Sequence, residues 1–146
     1  MYELKVIRER KAGYGQRIQF RSSQQIYDTF RARFERADRE EFVVLLLDAK
    51  HKQLGFHVVS VGSLTSSVVH PREVYKVAIL GNAAAIIFLH NHPSGDPTPS
   101  AEDLAITNRL RQVGDVLSIK VLDHVVIGDG RYVSFVDDGY WQPHSG

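Results

Sequence analysis

The chain has 146 residues and is almost neutral, with 18 Lys and Arg against 17 Asp and Glu, and 43% of it is hydrophobic. That suits one soluble domain with a proper core, and no apolar run is long enough to span a bilayer. The lack of cysteine excludes disulfides, thiolate metal sites and a cysteine nucleophile.

Glu3, Lys5, Arg8 and Glu9 deny the N-terminus the apolar core of a signal peptide, so a cytoplasmic protein is expected. Residues 2–8 alternate in type and read as a strand at an edge of the sheet, and residues 11–16, with Gly13 and Gly15, read as a loop. Ser22 or Ser23 can cap a helix to about Arg36, whose apolar stripe is Ile26, Phe30 and Phe34, with Tyr27. Basic residues outnumber acids up to Arg39, and the remainder is acidic. A basic face could meet nucleic acid or an acidic partner. A solvated helix of mixed charge is the plainer explanation.

Phe42-Val43-Val44-Leu45-Leu46-Leu47, within residues 41–48, is an unbroken apolar run that suits a central strand covered on both faces. A turn over 49–53 and an antiparallel partner over 54–61 follow, then an irregular Ser/Thr-rich segment over 62–70. Pro71 opens a second helix, 71–80, which Gly81 and Asn82 stop. Small apolar residues over 83–89 read as a buried strand. Residues 104–113 continue a helix that begins at Ser100 and has Gly114 at its C-cap. Residues 119–127 alternate partly and read as a strand, Gly128-Asp129-Gly130 as a hairpin turn, and 131–135 as the returning strand. The order of elements predicts an α/β fold, a mixed β-sheet flanked by helices, without repeats or a domain linker.

The chemistry concentrates in Leu89-His90-Asn91-His92-Pro93-Ser94-Gly95-Asp96-Pro97-Thr98-Pro99-Ser100-Ala101-Glu102-Asp103. A strand delivers His90 and His92 to its end, a tight loop turns, and a helix begins. Ile106, Leu110, Val113 and Leu117 make the inward stripe of that helix, and a step of three back from Ile106 lands on Asp103. A carboxylate at the head of a buried stripe is costly unless it is paired or bound to a metal. Two His and one carboxylate, with a fourth position left for water, are the donor set of a catalytic zinc site. The plainer alternative is a helix cap, because Ser100 followed three residues later by an acid is also an N-cap signature. Asn91 faces the other way on the strand and reads as structural.

H-x-H, seven residues, Ser, two residues, Asp is the signature of the JAB1/MPN/Mov34 (JAMM) metalloprotease superfamily, and the string from His90 to Ser100 resembles its bacterial branch, the RadC-like JAB domain proteins. Val69-His70-Pro71-Arg72-Glu73-Val74, Asn82-Ala83-Ala84-Ala85 and Asp123-His124-Val125-Val126-Ile127-Gly128-Asp129-Gly130 are similar to that branch too. The resemblance covers residues 40–136 and implies a single MPN/JAB (cytidine-deaminase-like) domain over 1–146, with residues 1–39 as a basic strand and helix. It implies Zn2+ on His90, His92 and Asp103, and a zinc-dependent hydrolase of peptide or isopeptide bonds. It also implies a general-base glutamate before the apolar strand, Glu40 in preference to the adjacent Glu41, and an oxyanion-stabilising role for Ser100. Asp123 and His124 match the family string outside the ligand set and read as supporting or packing residues. RadC-type proteins usually carry a helix-hairpin-helix region associated with DNA, and no room for one lies ahead of Glu40. A DNA-repair association is therefore weakly supported, and a zinc-bearing interaction module without turnover is the other alternative. The expected partner is a peptide or protein substrate, with no membrane. His51, His57, His70 and His144 fall into no usable pattern, and substrate identity and oligomeric state are not written in the chain.

Overall fold

The structure is a computed structural model and describes residues 1–3, 5, 17–62 and 69–141. Its elements are α1 (Ser23–Glu35), β1 (Glu41–Leu47), β2 (Gln53–Val61), α2 (Pro71–Leu80), β3 (Ala85–Asn91), α3 (Ala101–Leu117), β4 (Lys120–Ile127) and β5 (Tyr132–Ser134). One five-stranded sheet runs in the order β2-β1-β3-β4-β5. β1 pairs antiparallel with β2 and β3, β3 pairs parallel with β4, and β4 pairs antiparallel with β5. The single parallel pair is joined through α3, the crossover that such a pair requires.

Because side chains alternate across a strand, the central strands feed two cores. Phe42, Val44 and Leu46 of β1 and Ile86 and Phe88 of β3 pack with Val74, Tyr75 and Ala78 of α2 and Ile106 and Leu110 of α3. Val43, Leu45 and Leu47, with Ile87 and Leu89, pack on the other face against Ile26, Tyr27, Phe30 and Phe34 of α1. The expected α/β architecture, a mixed sheet between helices, is the one observed. Among the described residues no helix is long and apolar enough to cross a membrane.

Ser22 caps α1 by accepting from Gln25 N, and the helix carries its charges in pairs. Arg31 meets Glu35 at 2.9 Å, and Arg33 reaches Glu41 on β1 at 3.4 Å. The strand expected over residues 2–8 and the loop over 11–16 fall outside the described residues apart from 2, 3 and 5, as do 63–68 and the tail from 142, His144 included.

Two expectations are corrected at α3. The helix runs through Gly114 to Leu117, and Ser118 takes the left-handed C-cap position at φ 58°, with Ile119 N donating back to Gly114 O at 2.9 Å. The buried stripe is also rotated from the expected one. Asp103, Ile106, Thr107, Leu110, Arg111 and Gly114 are buried, whereas Leu117 is 41% exposed. Counting only apolar residues placed the stripe too far round, because its true members include Thr107 and Arg111. Gly114 is needed for close approach, since a Cβ there would stand 2.6 Å from both Ile119 O and Tyr75 Oη.

Strand β4 contains the one irregularity that matters for the site. Its register with β3 steps from Ile86↔Val121 to Ile87↔Asp123, so Leu122 is an extra residue in the ladder. Leu122 and Val125 both pack on the α1 side, and the face on which His124 lies is reversed relative to an unbulged strand. Asp123 braces the bulge: it accepts from Ser134 Oγ at 2.6 Å, from His124 N at 2.8 Å and from Val136 N at 3.1 Å. Burial pushes the Asp123 carboxyl above the ordinary carboxylate range, against the pull of those three bonds.

Gly114→Ala tests the close contact of α3. Helix propensity alone favours alanine by roughly 0.5–1 kcal/mol, but the backbone carbonyl of Ile119 cannot retreat without moving β4. The expected result is a net loss of about 1–3 kcal/mol, read as a lower denaturation midpoint in urea. A midpoint at or above that of the wild type would show that α3 shifts freely.

Candidate metal centre

Side-chain parity carries the site residues to one place. His90 follows Ile86 and Phe88 onto the α2/α3 face of β3, and Phe42 lies directly opposite it on β1. Glu40, two residues before Phe42, shares that face and sits just ahead of the strand. Glu41 points the other way and pairs with Arg33, which separates the two adjacent glutamates by position. Asn91 also points away from the site face. Its Oδ1 accepts from Glu41 N at 2.7 Å and its Nδ2 donates to Arg39 O at 3.0 Å. The residue between the two histidines therefore holds the backbone on both sides of Glu40.

The loop after β3 is pinned to the β4–β5 turn. His92 N donates to Ile127 O at 2.9 Å, and Asp129 N donates to Gly95 O at 2.8 Å. A Cβ on Gly128 would stand 2.3 Å from Gly95 O, so the glycine lets the two loops touch. The loop ends at Ser100, the N-cap of α3. Ser100 Oγ accepts from Asp103 N at 3.1 Å, and Asp103 Oδ2 accepts from Ser100 N at 2.8 Å, a reciprocal capping box. The two readings of this segment are therefore compatible, since Asp103 caps the helix and faces the histidines at once. Ser100 Oγ uses a lone pair in the cap and keeps its hydroxyl proton for another acceptor.

Three side chains converge. His90 Nε2 and His92 Nε2 lie 2.9 Å apart, Asp103 Oδ2 lies 3.1 Å from His92 Nε2, and Asp103 Oδ1 lies 3.3 Å from His90 Nε2. A tetrahedral zinc with bonds near 2.0–2.2 Å separates its ligand atoms by about 3.3 Å, so the spacing fits such an ion. Glu40 Oε1 stands 4.0 Å from His92 Nε2. Glu40, His90 and His92 also form a trio with ligand atoms within 4.8 Å of one another. Asp103 lies closer to both imidazoles than Glu40 does and is 2% exposed, and Glu40 stands at the edge of the group.

The electrostatics favour positive charge at the same point. Burial alone would raise the Asp103 carboxyl, but hydrogen bonds with His90 and His92 hold it far below the ordinary carboxylate range. His92 is raised, chiefly by its bond to Asp103 and against the cost of its partial burial. His92 Nδ1 donates to the carbonyl of Asp96 at 2.8 Å, which aims Nε2 at the carboxylate. Positive charge at that point would meet His92 Nε2, His90 Nε2 and the Asp103 carboxylate together.

Behind these residues stand His124, which the sequence marks with Asp123 as a supporting or packing residue, and Thr107, which it does not mark. His124 is wholly buried, 2.7 Å from His90 Nδ1, and its other nitrogen lies 2.6 Å from Thr107 Oγ1. Burial drives the His124 imidazole well below its ordinary value, and repulsion from His90 adds to this, which favours the neutral ring. Thr107 lies four residues after Asp103 on the same helix, and that spacing was the available signal. Among the other histidines, His57 is exposed on β2 and His51 occupies a turn at φ 59°.

Residues 20–140 match the RadC-like JAB domain family. The chain is similar to the UPF0758 protein of Geotalea uraniireducens, 54% identical over 120 residues that cover 82% of this chain and 53% of that protein. It is similar also to the UPF0758 protein of Methanosarcina acetivorans, 49% identical over 119 residues that cover 82% and 52%. A third relative, the UPF0758 protein of Caldanaerobacter subterraneus subsp. tengcongensis, is 54% identical over 103 residues, 70% of this chain and 44% of the relative. The chain spans about half the length of these curated relatives. With a mixed sheet between helices and the histidines and aspartate gathered at the end of β3, this chain belongs to the RadC-like JAB domain family.

Proposed function

We propose that the protein is a zinc-dependent hydrolase of peptide or isopeptide bonds, with His90, His92 and Asp103 as metal ligands, Glu40 as general base and Ser100 as oxyanion donor. The observation that carries this reading is the convergence of His90 Nε2, His92 Nε2 and the Asp103 carboxylate within 3.3 Å of one another, with Glu40 beside them. A bound zinc would supply an acidified water and an electrophile for the carbonyl. Glu40 is suited to take a proton from a water in the open position and to deliver it to the leaving nitrogen. Its placement rests on β1 and on the Asn91 clamp, so it is held by rigid backbone. Ser100 has a hydroxyl proton to offer the carbonyl oxygen as that oxygen becomes anionic. The ligand side chains are buried or nearly so, which strengthens these interactions and sets the cost of an empty site.

Wild-type protein supplied with zinc is expected to retain it stoichiometrically through gel filtration. His92→Ala and Asp103→Ala, each shown folded by circular dichroism, should lose it. Zinc-free wild type would end the reading.

Glu40→Gln separates turnover from binding. It is expected to keep the zinc and to lose about 10²–10⁴-fold in kcat, the usual worth of a general base, on whichever peptide- or isopeptide-linked substrate the wild type cleaves. A Glu40→Gln protein that cleaves as fast as wild type would remove Glu40 from the mechanism. A zinc-loaded wild type that cleaves nothing in such a panel would favour an interaction module without turnover.

A further inference from the structure

The polar chain behind His90 constrains its protons from Thr107 as far as His90 Nδ1. The single hydroxyl proton of Thr107 is committed, because Oγ1 donates it to the carbonyl oxygen of Asp103 at 2.7 Å. At its 2.6 Å contact with His124 Nδ1 the same oxygen must therefore accept, and the proton there belongs to His124 Nδ1. His124 is enclosed by aromatic rings, stacked on Phe135 at 4.6 Å and edge-on to Phe42 at 5.6 Å and Phe88 at 6.0 Å. Its ring is neutral in that enclosure, so Nε2 is a bare acceptor. That acceptor lies 2.7 Å from His90 Nδ1, which must carry the donated proton. His90 Nε2 is left to face the point it shares with His92 and Asp103.

We infer that Thr107 and His124 are positioning residues of the metal centre: the Thr107 hydroxyl sets the tautomer of His124, which sets the tautomer of His90 and presents His90 Nε2 to the ion. The inference rests on the reading of the site as a metal centre. The chain begins and ends at the centre itself, since Thr107 is anchored on the backbone of Asp103 and the relay finishes on His90. Any movement of the first turn of α3 that shifts Asp103 therefore also disturbs the acceptor that orients His90. The relay depends on the β4 bulge, because that irregularity turns His124 onto the α3 face beside Thr107. Metal-bound histidines commonly donate their second N–H to a carboxylate or a carbonyl. Here the acceptor is a neutral imidazole buried in the core, which fixes direction without adding negative charge.

The test uses Thr107→Val, which removes the hydroxyl at nearly constant volume, and Thr107→Ser, which restores it. Folding of each is checked by urea denaturation. Without the hydroxyl, His124 Nδ1 has no acceptor, the ring gains by placing its proton on Nε2, and that proton opposes the one on His90 Nδ1. Zinc affinity, measured by competition with a chromophoric chelator, is expected to fall by about 10–100-fold in Thr107→Val and to stay close to wild type in Thr107→Ser. Nitrogen-15 shifts of the histidine rings in the metal-free wild type should show the proton on Nδ1 of both His90 and His124, a readout independent of either variant. Wild type that binds zinc while Thr107→Val binds it as tightly would overturn the relay alone, as would Thr107→Ser falling as far as Thr107→Val, or a wild-type His124 protonated on Nε2. Wild type that binds no zinc would overturn the metal centre and the relay together.

Discussion

A carboxylate held out of water at the head of a helix, facing two imidazole nitrogens, is the constraint on which the rest of this structure turns. Asp103 is 2% exposed, and a charge so placed is tolerable only with full compensation. The compensation comes from three sources at once: Ser100 N in the capping box, the imidazoles of His90 and His92, and the N-terminal end of α3. None of these can be moved separately. The histidines are fixed by the position of β3 in the sheet, and the helix is fixed by the packing of Ile106 and Leu110 on Phe88 and its neighbours.

The sheet delivers this geometry through alternation. β1 and β3 are covered on both faces, so every second residue is committed to one core or the other, and a slip by one residue would exchange them. Phe42 opposite His90 therefore determines that Glu40 falls on the site face while Glu41 is left to Arg33. Asn91 exploits the same alternation from the other side, and its side-chain amide ties the entry of β1 to the end of β3. The β4–β5 turn completes the frame, because Gly128 allows the backbone at Gly95 to approach, and the two loops then share a hydrogen bond.

Polar residues inside the core are the second theme. Asp123, His124 and Thr107 are all buried, and each has its hydrogen-bonding capacity met by a named partner. A network of that kind is costly when half made and rigid when complete. Its placement around a bulge in β4 is consistent with the use of bulges to re-aim a side chain beside a site.

The sequence by itself determined the order of elements, because apolar periodicity and turn residues act over a few positions and leave a direct mark. It also carried the clustering of His90, His92 and Asp103, since H-x-H at a strand end and Asp103 at the head of an apolar stripe are local patterns, and with the family resemblance it pointed to Glu40 and Ser100. The tertiary structure alone decided what Asp123 and His124 support and that Thr107 belongs with them. His124 is 34 residues from His90 and reaches it only because Leu122 is an extra residue in the pairing of β4 with β3, a feature of register that no window along the chain displays. Thr107 and Arg111 escaped a count of apolar letters because they are polar residues on the buried face, and Gly114 was read as a terminus because its reason for being glycine is the backbone of a neighbouring strand. Short-range chemistry is written along the chain. Which lone pair faces which proton is settled by contacts between segments distant in it.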